Sequence, residues 1–385
     1  MTFPVARGAF GPAAIALALV ASASAARAEN LVTVRAVYFR EPSTRVVQPI
    51  AEISRDLPNG WDVRANYLLD AITSASVASG TLTGDNIFTE IRNEVGLSVG
   101  KRIAQTQINL GYHYSAESDY WSHTANLAVG QHLWGDTGLL QGSFGASIDS
   151  MSSRGRTPAC AKPGELDCHL RAYFGGAGYT QVITPVFIVQ GSVEASYLSG
   201  FQANLYRSVP NHGYEAVPDT RLRFAVAPRA AYYFPSTGSG VQLHYRYYRD
   251  SWSIDSHTVE GRFYQDLTAA LELRLALRLY FQAPADFWCD WMAPAGNDPR
   301  VGPGCYSPDA RYYPGDPKLA PVRTYMPEIK FTWEAGALRG VPFFGWFAAG
   351  TFEISYARYL QSSTSYSGGS FGNAHLLQVG YAMPY

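Results

Sequence analysis

The sequence predicts an all-β protein: a transmembrane antiparallel β-barrel of about 16 strands, with short periplasmic turns and longer extracellular loops. Three observations predict this fold class. Apolar residues recur at every second position in most of the chain, an export signal precedes these segments, and the last segment, residues 373–385, alternates in the same way and stops on an aromatic residue. A period of two indicates strands, because successive side chains of a strand point to opposite faces.

The first 28 residues have the features of a secretory signal peptide. Arg7 precedes an apolar run over residues 9–21, and Ala26 and Ala28 are small residues at the positions that a signal peptidase reads. We expect cleavage before Glu29, so that residues 29–385 form the barrel domain. The apolar run is shorter than the roughly 20 residues that a membrane-spanning helix needs. The expected location is the outer membrane of a Gram-negative bacterium.

The composition agrees with an exported chain embedded in a membrane. Charged residues make up 16% of the chain, below the roughly 25% that is usual in soluble domains. The formal net charge is −1 and no Lys/Arg block occurs, which argues against nucleic acid as a partner. The expected partners are outer-membrane lipid and, through the C-terminal strand, the barrel-insertion machinery. No cofactor is expected.

The clearest strand covers residues 270–282. Leu271, Leu273 and Leu275 fall on one face, while Glu272 and Arg274 fall on the other. The apolar face would contact lipid and the polar face the lumen, which is the inverse of a water-soluble barrel. The predicted strands cover residues 30–40, 44–56, 60–73, 87–101, 104–116, 120–133, 138–150, 169–182, 185–199, 219–234, 239–249, 254–267, 269–283, 322–335, 342–361 and 372–385.

The connections between these strands alternate in length. One set is short and rich in turn residues, at residues 57–59, 102–103, 134–137, 183–184, 235–238 and 268. The other set contains the long connections, near residues 74–86, 151–168, 200–218, 284–321 and 362–371, together with short ones at 41–43, 117–119 and 250–253. This sorting indicates a barrel with both termini in the periplasm and the long loops outside.

The four cysteines lie in two of the long loops. Cys160 and Cys168 share one loop and Cys289 and Cys305 share another. The simplest of the three possible connectivities closes each loop on itself, and both disulfides would be oxidised outside the cytoplasm. A metal site is the alternative, but no CxxC motif is present and histidines do not surround either pair. We therefore predict disulfides and no metal.

The lumen is the first candidate functional site. The polar faces of the predicted strands carry both signs of charge, which fits either a pore whose charges select small solutes or a self-neutralising lattice of cross-strand ion pairs. The candidate lumen-lining residues are Asp62, Arg64, Asp70, Glu90, Arg92, Glu94, Arg221, Arg223, Arg229, Arg246, Glu260, Arg262, Glu272, Arg274, Arg278, Glu328, Lys330 and Glu353.

The longest loop, residues 284–321, is the second candidate site. It is rich in aromatic and acidic residues, and it could constrict the mouth, cap the barrel or present a docking surface. Its acidic residues show no repeated calcium-ligand spacing. A surface hydrolase is a remote alternative, because Ser256 and His257 are adjacent but would point to opposite faces of a strand. No catalytic residues are predicted.

Four short segments resemble one known family. They are residues 70–76 (DAITSAS), 215–221 (EAVPDTR), 256–266 (SHTVEGRFYQD) and 371–377 (FGNAHLL). In this order and over essentially the whole mature length, they resemble the uncharacterised outer-membrane β-barrel family catalogued as domain of unknown function 3570. The resemblance implies an outer-membrane barrel and supplies no catalytic residues.

Two functions remain open besides the hydrolase: a porin-like channel for small polar solutes, and a non-conducting scaffold or receptor for envelope proteins. The sequence is more specific about closure. The last strand should pair with the first, near residues 31–39, to complete the cylinder. Its closing face would consist of Leu377, Val379, Tyr381, Met383 and Tyr385.

Overall fold

The computed structural model describes residues 30–42, 44–74, 88–152, 167–203, 208–209, 213–290, 302, 305, 310–362 and 373–385. The predicted signal peptide, Cys160 and much of the long loops lie outside these residues, so the predictions that concern them stay predictions. Among the residues that the structure describes, no helix is long and apolar enough to cross a membrane.

Sixteen antiparallel strands form a closed barrel, which confirms the predicted antiparallel β-barrel of about 16 strands. Their order around the barrel follows the chain, because each strand pairs with its neighbours in sequence. The barrel strands are β1 (Leu31–Arg40), β2 (Thr44–Leu57), β3 (Trp61–Ser74), β4 (Phe88–Ile103), β5 (Thr106–Ala116), β6 (Tyr120–Leu133), β7 (Gly138–Ser152), β8 (Asp167–Thr184), β9 (Phe187–Gly200), β12 (Thr220–Phe234), β13 (Ser239–Asp250), β14 (Asp255–Thr268), β15 (Leu271–Gln282), β16 (Val322–Glu334), β17 (Thr351–Ser362) and β18 (Ala374–Pro384).

A short hairpin lies outside the barrel sheet. Its strands β10 (Ser208–Val209) and β11 (Gly213–Tyr214) fall in the connection between β9 and β12, where no strand was predicted. The hairpin leaves the order of the barrel strands unchanged.

The last strand closes the cylinder. Strand β18 pairs with β1 in antiparallel register, with Tyr38 opposite Leu377 and Val34 opposite Tyr381. Closure satisfies the backbone groups that an edge strand would expose to lipid, where no water is available to replace them.

Alternation along each strand places apolar side chains on the outside. Leu110 and Phe144 are each 61% exposed on this surface, whereas the inward-facing Asp70 and Asp149 are 2% and 0% exposed. A water-soluble protein would reverse this arrangement, because exposed apolar area is unfavourable in water. The outer surface therefore fits the hydrocarbon core of a membrane.

One predicted strand begins too early. Residues 342–361 were predicted as a single strand, but β17 begins only at Thr351. The preceding residues form two 3₁₀ segments, Ala335–Gly340 and Gly345–Ala349. Pro342 lacks an N–H donor and Phe343 has a positive φ of 65°, so the backbone turns where the apolar run suggested a strand. The connection between β16 and β17 is consequently the longest on the side predicted to be periplasmic.

This connection carries an aromatic segment, residues 341–347, that lies against the outside of the barrel. Phe347 packs on Phe352 and Tyr381, with ring centroids 6.1 and 5.3 Å apart, and the Tyr381 hydroxyl donates to its carbonyl. Phe343 and Trp346 remain 92% and 77% exposed. The segment thus extends the apolar outer surface at the end of the barrel that is predicted to be periplasmic.

Candidate functional site

The inward faces of the strands place the predicted lumen-lining residues on one continuous inner surface. Each lies at the strand parity opposite to the exposed apolar residues, as the register shows for Glu260 opposite Arg278 and for Arg274 opposite Lys330. Most are buried or half-buried, and Arg229 is exposed toward the lumen. The register of the barrel decides which of these charges face one another.

Strands β12–β15 form a basic wall. Arginines outnumber carboxylates on their inward positions, with Arg221, Arg223, Arg229, Arg246, Arg262, Arg274 and Arg278 against Asp250, Glu260, Asp266 and Glu272. Among the described residues, Arg223, Arg229 and Arg278 form no salt bridge. This wall therefore keeps positive charge that its own acids do not neutralise.

Strands β2–β5 form an acidic wall. Carboxylates outnumber arginines on their inward positions, with Glu52, Asp56, Asp62, Asp70, Glu90 and Glu94 against Arg64, Arg92 and Arg102. Neutral donors hold some of these acids: Gln107 Nε2 donates to Asp62 at 2.9 Å, and the backbone N–H of Ser118 donates to Glu90 at 2.9 Å. A hydrogen bond from a neutral group stabilises a carboxylate without cancelling its charge.

The two walls lie on opposite sides of the lumen. Around the barrel, β6–β9 separate them on one side, and β16–β18 with β1 separate them on the other. The inward positions of β6–β9 are largely small or uncharged, including Ser122, Thr124, Ser147 and Ala172. The lumen is therefore polarised across its width, because opposite charges on facing walls create a field between them.

Ion pairs within and beside the walls are also extensive, as the lattice interpretation expects. Arg92 pairs with Asp70, Arg262 with Glu260, and Arg274 with Glu328. Further pairs join Lys330 to Glu353, Arg246 to Glu194 and Arg64 to Glu52. The lattice neutralises part of the charge. Because Glu194 and Glu328 lie outside the basic wall, their pairs with Arg246 and Arg274 reduce its surplus, which then rests on Arg223, Arg229 and Arg278.

A cluster of buried side chains at the mouth of the barrel packs the loop between β15 and β16 against the turn between β13 and β14. We call it the mouth cluster, and its buried members are Trp252, Ile254, Ala285, Trp288, Leu319 and Ala320. Asp250 supports it: its carboxylate accepts hydrogen bonds from Arg221 Nε at 2.8 Å, from the Tyr248 hydroxyl at 2.7 Å and from the backbone N–H of Trp252 at 2.9 Å. Neither Asp250 nor Trp252 was among the predicted site residues, because the sequence places them in a short turn.

The same loop reaches across the mouth in two directions. On one side the backbone N–H of Gly315 donates to Glu215 at 2.8 Å, and Tyr313 bridges to Ala216. On the other side Lys318 interacts electrostatically with Glu41, in the turn between β1 and β2. Burial raises the pKa of Glu41, and its hydrogen bond from Thr44 and the charge of Lys318 oppose that rise. The loop therefore covers part of the lumen entrance.

Cysteines fasten this outer region. Cys289 and Cys305 form a disulfide, with their Cα atoms 5.9 Å apart, which is the pairing predicted for this loop. Cys168 is also disulfide-bonded and buried, and its predicted partner Cys160 lies outside the described residues. No group of three or more His, Cys, Asp or Glu side chains that could hold a metal ion occurs in the part of the chain that the structure describes.

The outer turn between β5 and β6 contains an unusual carboxyl group. Burial raises the pKa of Glu117 from 4.5 to about 7; nearby Arg92 opposes this rise, and Glu90, Asp119 and Asp70 add to it. Arg92 Nη1 lies 3.9 Å from the Glu117 carboxylate. Glu117 was predicted only as part of a short turn, and its neighbours were recognisable only once the strands were aligned.

Ser256 and His257, the adjacent pair that suggested a hydrolase, do not lie on the same face of the barrel. Ser256 is 2% exposed and faces the lumen, whereas His257 is exposed on the lipid-facing side and its Nδ1 lies 2.7 Å from the Tyr245 hydroxyl. The residues predicted for the closing strand lie mostly on its outer face. On the lipid-facing side of β18 are Leu377, Val379, Tyr381 and Met383. Tyr385 follows the strand, and its hydroxyl donates to the backbone carbonyl of Ser54 at 3.2 Å.

These features define a closed, 16-stranded β-barrel of the outer-membrane type. The chain belongs to the family described as Protein of unknown function (DUF3570), whose sequence profile matches residues 74–165 and 171–376. This membership confirms the resemblance seen in the sequence. No curated protein matches the chain in sequence.

Solved structures support the fold alone. The chain is similar to CdiB from Acinetobacter baumannii, with a TM-score of 0.53 and 7% identity over 92% of this chain and 60% of that one. It therefore spans less than two thirds of the length of CdiB. It is also similar to a bacterial polysaccharide outer membrane secretin, with a TM-score of 0.50 and 8% identity over 93% of this chain and 99% of that one.

Proposed function

We propose that this outer-membrane barrel is a porin-like channel that admits small polar solutes through its charged lumen. The observation that carries the proposal is the pair of opposed walls, basic on β12–β15 and acidic on β2–β5. Barrels of about this strand number have lumens wide enough for water and small solutes. A transverse field orients dipolar and charged solutes and disfavours apolar ones, because an apolar solute cannot replace the water that solvates both walls.

The unpaired arginines give the channel an expected selectivity. Arg223, Arg229 and Arg278 form no salt bridge among the described residues, so a passing anion can interact with them without breaking one. Some carboxylates of the acidic wall accept hydrogen bonds from neutral groups and so keep their negative charge. They offer the matching path for cations. The channel should therefore pass both signs, and each wall should set the preference for one of them.

Single-channel recording in planar bilayers tests this proposal. The purified barrel should conduct, and Arg229→Gln with Arg278→Gln should shift the reversal potential in a salt gradient toward cation preference. Arg339→Gln, at the periplasmic rim outside the lumen, is the matched control and should leave the reversal potential unchanged. A folded barrel that never conducts would refute the channel function.

A non-conducting scaffold or receptor is the second candidate, and the covered mouth favours it. The mouth cluster and the Cys289–Cys305 disulfide fix the loop between β15 and β16 over the entrance. If this role is right, the barrel should stay silent in bilayers, and crosslinking in cells should repeatedly recover one defined envelope protein. Both candidates are non-enzymatic, which the opposite orientations of Ser256 and His257 support.

A further inference from the structure

A row of basic side chains crosses the closing seam on the lipid-facing side of the barrel. Arg45 lies opposite Arg40 in the β2–β1 pair, Arg40 lies opposite His375 in the β1–β18 pair, and His375 lies opposite Arg358 in the β18–β17 pair. All four side chains are exposed. Four basic residues from four adjacent strands therefore form one continuous patch, the seam row.

The seam row belongs to the lipid-facing surface and not to the lumen. Its members have the same strand parity as Val47, Leu377 and Ile354, which are 44%, 38% and 48% exposed on the apolar outer surface. His375 Nδ1 lies 2.7 Å from the Tyr356 hydroxyl, which fixes the imidazole ring beside the two arginines. The row is thus continuous with the surface that contacts lipid.

Strand β2 gives the depth of the row. On its lipid-facing side Arg45 and Arg55 enclose the apolar positions Val47, Pro49, Ala51 and Ile53. Ten residues of a strand tilted by roughly 40° rise by about 25 Å, which is the height of the apolar band of such barrels. Arg45 therefore lies at the outer boundary of the hydrocarbon, and Arg55 lies at the periplasmic boundary.

The seam row lacks anions of its own. Among the residues that the structure describes, no salt bridge involves Arg40, Arg45 or Arg358. Arg358 lies inside β17, which continues to Ser362, whereas Arg40 is the last residue of β1, so Arg358 begins deeper in the membrane and must extend toward the headgroups. Arginine at such a depth is costly without an anion.

Other lipid-facing basic residues repeat this pattern near the outer ends of their strands. Arg171 and His169 lie near the start of β8, and Arg249 lies near the end of β13. Arg249 already faces Asp255, 3.7 Å away, so that site carries its own counter-charge. In the seam row four basic groups from four strands adjoin, and none of its arginines forms a salt bridge with a described residue.

We propose that the seam row binds the phosphate groups of a phosphorylated glycolipid in the outer leaflet of the outer membrane. Two arginines and an imidazole can surround one phosphate, because guanidinium groups donate paired hydrogen bonds to phosphate oxygens. The acyl chains of the same lipid would lie along the apolar band below the row. A second copy of the chain is a poorer occupant, since Asp255, an acidic side chain near this level of the lipid-facing surface, is already engaged by Arg249.

Native mass spectrometry of the full-length, delipidated barrel in detergent tests the proposal. The probes are lipid A with both phosphates, lipid A without phosphates, and phosphatidylethanolamine. The wild-type barrel should bind the phosphorylated lipid A at least about tenfold more tightly than either other lipid. The triple variant Arg40→Gln, Arg45→Gln, Arg358→Gln should lose this preference, because each lost charge-assisted contact weakens binding by a small factor and the three factors multiply.

Two variants keep the experiment interpretable. Arg55→Gln, on the same face of β2 at the periplasmic end, should bind the phosphorylated lipid as the wild type does. Lysine at all three positions should retain most of the binding, and the folded state of every variant is checked by its altered gel mobility before heating. Equal affinity for lipid A with and without phosphates would overturn the proposal. An equal loss of lipid A binding in Arg55→Gln and in the triple variant would do so as well. A stable dimer that the triple variant abolishes would overturn it too, because it would indicate a second copy of the chain as the occupant.

Discussion

At the scale of single residues, Glu117 couples stability to pH. Its pKa is raised from 4.5 to about 7, chiefly by burial, so the folded barrel binds a proton more tightly than the unfolded chain does. This contribution favours folding below pH 4.5 and is lost as the pH rises from about 4.5 to about 7. At pH 8 the buried, ionised Glu117 carboxylate lowers the free energy of unfolding by an amount on the order of 1–3 kcal/mol.

Glu117→Gln should therefore stabilise the barrel at pH 8 and have little effect at pH 4. Chemical unfolding in detergent at the two pH values measures the difference. Glu334→Gln, at the periplasmic rim, serves as the control and should show no such pH-dependent gain. A Glu117→Gln variant that is destabilised at pH 8 would mean that the Arg92 contact outweighs the burial of the carboxylate.

Asp250 is the second residue whose surroundings predict a measurable effect. Its side chain is fully buried and accepts hydrogen bonds from Arg221, Tyr248 and the Trp252 backbone. Asp250→Asn should destabilise the protein by about 3 kcal/mol, since it leaves the Arg221 charge without its partner. Asp266→Asn at the periplasmic end should cost less than about 1 kcal/mol. Equal unfolding midpoints for the two variants would contradict this role of Asp250.

At the scale of elements, the loop between β15 and β16 links the disulfide to the entrance. Replacing Cys289 and Cys305 by serine should leave the barrel folded and raise both the protease sensitivity of the loop and the mean conductance. A crosslink across a loop of this length contributes about 3 kcal/mol in the chain-entropy description. Limited proteolysis and bilayer recording measure the two effects. Unchanged digestion and conductance would show that the mouth cluster holds the loop without the disulfide.

The aromatic segment gives a prediction about the opposite membrane boundary. Phe343 and Trp346 are highly exposed, and the Trp346 indole donates to the Phe343 carbonyl at 2.8 Å, so its polar group is already satisfied. Lipids brominated near the headgroup should quench Trp346, and Trp346→Phe should remove that quenched component of the fluorescence. Trp252→Phe, in the mouth cluster, should leave it in place. Quenching that is unaffected by Trp346→Phe would place the segment in water.

The elements also show what the sequence could predict. Alternation located the barrel strands because the lipid and the lumen make opposite demands on successive side chains. It failed at residues 342–350, where an apolar run without a period of two reads as a strand although Pro342 and the positive φ of Phe343 turn the chain. The contacts of the mouth cluster join loops that are distant in sequence, so no local pattern reports them.

At the scale of the whole molecule, the two faces of each strand should respond differently to charge. Val379 is 45% exposed on the outer surface, while its neighbour Gln378 faces the lumen. Val379→Arg should destabilise the barrel in vesicles by about 2–4 kcal/mol, and Gln378→Arg should be tolerated. Unfolding by guanidinium compares the two variants at nearly the same depth. Equal losses would refute the assignment of faces.

The polarised lumen is also a property of the whole molecule, and part of it was accessible from the sequence. Because the barrel strands follow one another in chain order, β12–β15 must face β2–β5 once the cylinder closes. The sequence supplied the inward charges but not the ion pairs, since pairing depends on register and rotamers. The charge that stays unpaired on each wall is therefore a property of the folded barrel and not of the sequence pattern.

Closure between β1 and β18 has a further consequence for biogenesis. The seam row takes Arg40 and Arg45 from the first two strands and Arg358 and His375 from the last two. A partly inserted chain carries two separate halves of this patch, and only the finished cylinder brings them together. Glycolipid could therefore contact all four basic groups at once only after β1 and β18 have paired, so occupancy of the complete row would distinguish closed barrels from partly inserted ones.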